Sequence, residues 1–171
     1  MTITMAIVAA IGAWVVVAYN RLVRDRTRVQ TAWSDIDVQL KRRHDLIPKL
    51  VAAVQQYAAF ESATLAAVTE LRANAGADPA AIGAVENGLS AQVTKLLAVA
   101  EAYPDLKASE SFLDLQRNLT DVEQHIQYAR RYYNGAVNNL NIRVDSFPDA
   151  LVARAFGFTP AAFFDYEPAV E

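Results

Sequence analysis

Two histidines, nineteen carboxylates and no cysteine bound the chemistry open to this 171-residue chain. His44 stands beside Asp45, and His125 lies four residues after Asp121, a spacing that lets the two meet on one helix face. A zinc site needs three or four converging ligands, and a di-iron centre in a helical bundle needs inward Glu-x-x-His motifs plus two further glutamates. No Glu-x-x-His occurs, so both histidines read as solvated or salt-paired. Without cysteine there is neither a disulfide framework nor thiolate chemistry. No serine stands in a nucleophile elbow, and no glycine-rich phosphate loop is present. Asp35 and Asp37 are neighbours in sequence but about 200° apart around a helix, which makes them a poor acid/base pair. The expectation is no catalytic residue, no cofactor, no metal and no small-molecule substrate.

The polar residues that remain suit recognition. Lys41, Arg42 and Arg43 form a basic triplet. It can pair with Asp114, Asp121 or Glu123, in the same chain or a neighbouring one; a merely solvated charged face is the plain alternative. Asn134, Asn138 and Asn141 recur at i, i+4 and i+7 on one face. Asparagine is a mediocre helix former, so the stripe suggests hydrogen bonds across helices or to a partner, against the plain alternative of an exposed polar face. The net charge of −3 is unevenly placed: residues 20–49 hold eight Lys/Arg against four Asp/Glu, and residues 50–171 hold eight against fifteen. That balance offers no general case for nucleic acid.

These side chains must be positioned against a particular N-terminus. Residues 1–20 carry no charged side chain, and the next eight carry Arg21, Arg24, Arg26 and Arg28. About twenty helical residues at about 1.5 Å each cross a hydrocarbon core of about 30 Å. Ile3, Ile7, Val8, Ile11, Trp14, Val15, Val16 and Val17 then form the anchor, and the arginines stop it at the headgroups. A cleaved signal peptide would start with a positive segment before a shorter apolar core; Met1-Thr2-Ile3-Thr4 does not. With the positive residues only after the span, the positive-inside rule puts the body in the cytoplasm and a short N-terminal end outside.

Behind the anchor, good helix formers dominate between sparse Gly and Pro, and β-branched alternation is absent, so the expected class is all-α. Leu22, Val29, Trp33, Ile36, Leu40, Ile47, Leu50, Val54, Tyr57, Val68 and Leu71 lie on one helical seam. Pro48 interrupts it without a turn cluster or a change of phase, which favours a kinked helix over a hairpin. Asn74–Pro79 reads as a stop and restart. A second helix is expected over about 80–101, with Ile82, Val85, Leu89, Val93, Leu96 and Ala100 on its apolar face, then a break at Tyr103-Pro104-Asp105. Phe112, Leu115, Leu119, Val122, Ile126, Ala129, Tyr133, Ala136 and Leu140 step by three and four, a heptad seam that packs at a shallow angle or associates as a coiled coil. Phe147-Pro148 ends that helix. The short amphipathic piece Leu151–Phe156 and the phenylalanines after it cover one end of the bundle. The expected division is an anchor over 1–20, a body over 21–148 and a C-terminal segment over 149–171. The expected core includes Trp33, Ile36, Leu40, Phe112, Leu115, Leu119, Val122, Ile126, Tyr133 and Leu140.

The strings Tyr19-Asn20-Arg21-Leu22-Val23, WSDIDVQLKRRHDLIPKLV (33–51), YPDLKASESF (103–112) and Arg130-Arg131-Tyr132-Tyr133-Asn134, with Phe147-Pro148 and Gly157-Phe158, resemble the LemA family of bacterial membrane proteins. The resemblance spans nearly the whole chain; Lys49 departs from the asparagine usual after Ile47-Pro48. It implies an N-terminal membrane helix, an antiparallel up-and-down four-helix bundle, and signalling or membrane-organelle roles with no assigned reaction. The residues and the resemblance together lead to a non-enzymatic scaffold or adaptor tethered to the bacterial inner membrane. Its partners would be the lipid bilayer, a second copy in a homo-oligomer, or another membrane protein. The alternatives are a regulatory binding module for a membrane protease or sensor kinase, and a membrane-surface remodelling protein.

Overall fold

The computed structural model describes residues 1–56 and 79–166, and these residues form helices without a strand. In chain order they are α1 (Thr2–Gln55), α2 (Pro79–Ala100), α3 (Pro104–Lys107), α4 (Glu110–Asp145) and α5 (Asp149–Ala155). The expected course of the first helix through Tyr57, Val68 and Leu71, and the stop over 74–78, lie outside the described residues. So does any fourth long helix of the expected bundle.

No break separates residues 1–20 from the body: α1 is one helix of 54 residues. It runs through Pro48 instead of reversing. Pro48 is exposed, while Ile47, Leu50, Val51 and Val54 stay buried in the same phase as Ile36 and Leu40 before it. Burial of that stripe on both sides offsets the one backbone bond that proline removes. α2 begins with Pro79 as its first residue, a position that suits proline because the N–H there is unpaired in any helix. Tyr103-Pro104-Asp105 holds a short helical turn, α3, with Lys107 N–H donating to the Tyr103 carbonyl at 3.1 Å. Ser109 precedes α4, which stops at Asp145, just before Phe147-Pro148.

α1 and α4 run antiparallel. Asp25 meets Arg143, Trp33 meets Tyr133 and Arg42 meets Asp121, so position falls along one helix as it rises along the other. Arg43 meets Glu86 and Ser90 on α2, and Val93 and Leu97 face Leu119 and Gln116 of α4 across a cleft. α2 therefore runs in the direction of α1 and against α4.

The apolar core is in two parts. The part nearer the N-terminal stretch packs Leu22, Val29, Ile36 and Leu40 against Val122, Ile126, Tyr133, Val137 and Leu140, with Phe158, Phe164 and Tyr166 from the tail. The far part packs Ile47, Leu50 and Val54 against Leu89, Val93, Leu96, Leu106, Phe112 and Leu119. Trp33 and Leu115 are half-buried.

Candidate functional site

Among the described residues, little of the body packs against the N-terminal stretch before Trp14. Only 6% of the most apolar 18-residue window of α1 is buried by the rest of the chain. Ile3, Ile7, Val8, Ile11, Val16 and Val17 are all exposed; Trp14 and Val15 are half-buried where the body begins. A soluble core helix would bury this stripe. A row of side chains this apolar lies on a helix long enough to cross hydrocarbon, a candidate membrane span.

Just beyond, Arg21 and Arg24 are exposed. Arg28 sits 3.6 Å from Asp25, and Arg26 lies over the Phe158 ring at 5.0 Å. Asp25 is itself buried. Arg143 of α4 donates through Nε to its carboxylate at 2.5 Å and through Nη1 to Asp149 at 3.1 Å. The hydrogen bond that the guanidinium donates to Asp25 is the largest of the forces that raise the Arg143 pKa, so Arg143 stays charged and pins α4 and α5 to α1.

The basic triplet does not act as a unit. Lys41 pairs with Asp37 on its own helix at 2.6 Å. Arg42 reaches Asp121 of α4 at 3.6 Å, one of the three acidic partners expected for it. Arg43 points inward and is 3% exposed. Its Nη1 donates to Glu86 Oε2 at 3.3 Å and to the Tyr166 hydroxyl at 2.8 Å, and its Nη2 donates to Ser90 Oγ at 2.6 Å. Glu86, 1% exposed, also accepts from His44 Nε2 at 2.7 Å; a carboxylate only accepts, so that nitrogen carries the proton. The Tyr166 hydroxyl donates to Glu123 at 2.7 Å. Burial pushes the Tyr166 phenol well above its ordinary pKa, so it remains a donor at physiological pH. The layer sits between the two parts of the apolar core, with Leu40 on one side and Ile47 on the other. A charge buried there is tolerable only because each polar atom has a partner: among the described residues, no buried side-chain N or O lacks one.

Tyr166 arrives on an extended tail, and the asparagine stripe holds that tail. Asn141 Nδ2 donates to the Ala161 carbonyl at 3.0 Å, and Ala161 N–H donates back to Asn141 Oδ1 at 2.8 Å. Asn134 makes the same pair of bonds with Phe164, at 3.0 and 2.9 Å. The spacing fits: seven helical residues rise about 10.5 Å, and three extended residues cover about 10 Å. Each asparagine thus presents an amide edge to the tail as a neighbouring strand would. Asn138 is exposed and takes no part in these bonds. Tyr133 adds a bond to the Ala162 carbonyl at 2.8 Å, and Phe164 packs edge-on to Trp33 and stacked on Tyr166. Where the tail crosses α2, a Cβ at Gly83 would collide with the carbonyl of Asp165 and come within 2.9 Å of its carbonyl carbon. Gly157, at φ 70°, starts the tail: Phe158 N–H bonds the Ala153 carbonyl at 2.9 Å and Gly157 N–H the Arg154 carbonyl at 3.4 Å, a Schellman closure that needs the left-handed residue.

His125 Nδ1 lies 2.7 Å from the Asp121 carbonyl oxygen on its own helix. Among the described residues, no three His, Asp or Glu side chains gather to hold a metal ion. Glu86, Ser90, Tyr166, Gly83 and the Asp25–Arg143–Asp149 group were not singled out by the spacing of motifs. For Gly83, Glu86, Ser90 and Asp25 the signal is a charged or small residue lodged on an otherwise apolar face; Tyr166, on the extended tail, carries no such signal.

Magnetosome protein MamQ 2 of Paramagnetospirillum magneticum is 24% identical over 99% of this chain and 72% of its own length. Protein LemA of Metamycoplasma hominis is 29% identical over 85% of this chain and 68% of its own. Magnetosome protein MamQ of Magnetospirillum gryphiswaldense is 22% identical over 88% of this chain and 66% of its own. These are not enzyme names, and the apolar N-terminal helix of this chain, together with relatives of bacterial origin, fits a bacterial membrane. The LemA family model matches residues 32–171, from the middle of α1 to the end of the sequence, and the chain belongs to the LemA family.

Proposed function

We propose that this protein is a non-enzymatic, membrane-anchored scaffold, with its N-terminus outside and its helical body at the cytoplasmic face of the bacterial inner membrane. The observation that carries the reading is α1 itself. One uninterrupted helix contains both the unburied apolar stretch and the central stave of the body. An anchor joined by a flexible linker would leave the body free to tumble. Here, tilting the body means bending a helix that the Asp25–Arg143 pair and the near core hold in place. Arg43 lies 23 residues beyond Asn20, about 35 Å along the axis, far outside the Debye length of about 8 Å. The far half of the body therefore faces the cytoplasm and its partners, and only the near end faces lipid. Exposed basic residues after the span, Arg21 and Arg24, support the cytoplasmic orientation.

The relatives called magnetosome proteins MamQ support a place in the organisation of a membrane. The scaffold holds copies of itself or a second membrane protein at the bilayer. Chemical crosslinking in native membranes tests this. A discrete ladder of homo-oligomers, or one stoichiometric heterologous product, is expected; monomers alone at every crosslinker concentration contradict it.

A further inference from the structure

We propose that the corner between α4 and α5 is a second membrane contact: a foot that seats Phe147, Leu151 and Phe156 in the headgroup–acyl boundary of the bilayer that α1 crosses. The proposal rests on the reading of α1 as a membrane span and adds to it a surface of the body that touches lipid.

Three large apolar side chains within ten residues face outward here: Phe147 is 82% exposed, Leu151 57% and Phe156 55%. Single exposed apolar residues are ordinary; a group of this size at one end of a protein marks an interaction surface. Its height along α1 says which. The Phe156 ring packs edge-on to Tyr19 at 4.9 Å, and Phe158 does so at 5.8 Å. Val152 and Ala153 of α5 share a cluster with Ala18 and Leu22, and half-buried Trp14 and Val15 pack against that cluster. So α5 stands beside the last turns of the apolar stretch, not above it.

Ile3 to Tyr19 covers about 24 Å of helix, less than the hydrocarbon thickness of about 30 Å. A bilayer that accommodates the stretch therefore has its boundary close to Tyr19, where Phe156 sits. Aromatic residues favour that zone, and an amphipathic segment lies about 5–10 Å deep in it.

The charges agree. Arg21, Arg24 and Arg154 are exposed around the corner, ready for anionic headgroups. Two of the nearby acids, Asp25 and Asp149, are taken up by Arg143, which leaves Asp145 as the exposed carboxylate at the end of α4.

The chain contains no cysteine, so single spin labels can be placed in the full-length protein at Phe147→Cys, Leu151→Cys, Ile11→Cys in the span and Val38→Cys on the body. In vesicles of phosphatidylethanolamine and phosphatidylglycerol, collisions with lipid-soluble oxygen are compared with collisions with a water-soluble nickel chelate. Labels at 147 and 151 are expected to favour oxygen severalfold, as at 11, while the label at 38 favours the chelate. Labels at 147 and 151 that match 38 while 11 favours oxygen would overturn the foot and leave the span intact. A chelate preference at 11 as well would remove the span and the foot together. Shielding of 147 and 151 from both reagents would show that protein, a second copy included, covers the corner, and would also overturn the proposal.

Discussion

Replacing Arg43 by methionine should destabilise the body by about 3–5 kcal/mol, the usual cost of stranding one partner of a buried ion pair. The group stranded most deeply is Glu86, 1% exposed; Glu123, 3.9 Å from Arg43, loses a cation as well but keeps the Tyr166 hydroxyl. His44 is the other side-chain partner of Glu86 in the layer, and Ser90 and Tyr166 lose a donor in the same substitution. The long apolar side chain of methionine fills much of the volume, so the loss reports charge and hydrogen bonding more than a cavity. Pairing Arg43→Met with Glu86→Leu should recover a large part of that loss, because nothing charged then remains unpartnered between α1 and α2. Urea unfolding of the full-length protein in detergent, followed by circular dichroism, measures both. A single Arg43→Met variant within about 0.5 kcal/mol of the parent, the range of ordinary surface changes, would contradict the layer's role in joining α1, α2, α4 and the tail.

Removing the Phe164 side chain should cost a comparable amount, about 3–5 kcal/mol for a buried Phe→Ala change, and should also free the tail. Phe164 is fully buried between Trp33 and Tyr166, and its backbone occupies one of the two asparagine clamps. Without the ring, the clamp and the Tyr166 hydroxyl must hold an extended segment alone against its conformational entropy. Gly83→Ala reaches the same tail from the other side. The added methyl meets the Asp165 backbone, which cannot rotate away as a long side chain would, so the tail has to lift off α2. Limited proteolysis reads both variants: cleavage within residues 158–166 should appear in each and be slow in the parent. Equal protection in parent and variants would show that the tail is held by something other than this packing and these clamps.

The sequence makes the helices legible because their burial is periodic. α2 falls within a residue of the expected 80–101, α4 starts two residues before Phe112 and stops two before Phe147, and α1 passes Pro48 because the apolar phase is the same before and after it. The two gaps in the α1 seam are more informative than the seam. Steps of three and four run down the helix except at Leu22 to Val29 and Leu40 to Ile47, where each step is seven. The missing positions are Asp25 and Arg43, both buried, each joined to another helix. On α2 the apolar steps pass through Val85, which is half-buried, while its neighbour Glu86 takes the buried position between Ile82 and Leu89. A charged residue at a seam position has to meet a charge of opposite sign in the fold, and one sequence gives the position without naming that partner. The asparagines were visible as a stripe, but their partner is the backbone of the tail. Backbone partners leave no mark in side-chain types, so only the match of helix rise to strand rise, seen once both are in place, explains the i, i+7 spacing of Asn134 and Asn141. Likewise Gly83 is conspicuous only when Asp165 lies on it.

The first third of α1 finds in lipid the burial that the described body does not give it. Extraction of native membranes with alkaline carbonate tests that directly. The intact, uncleaved chain should stay in the membrane pellet; intact chain released into the supernatant would contradict it.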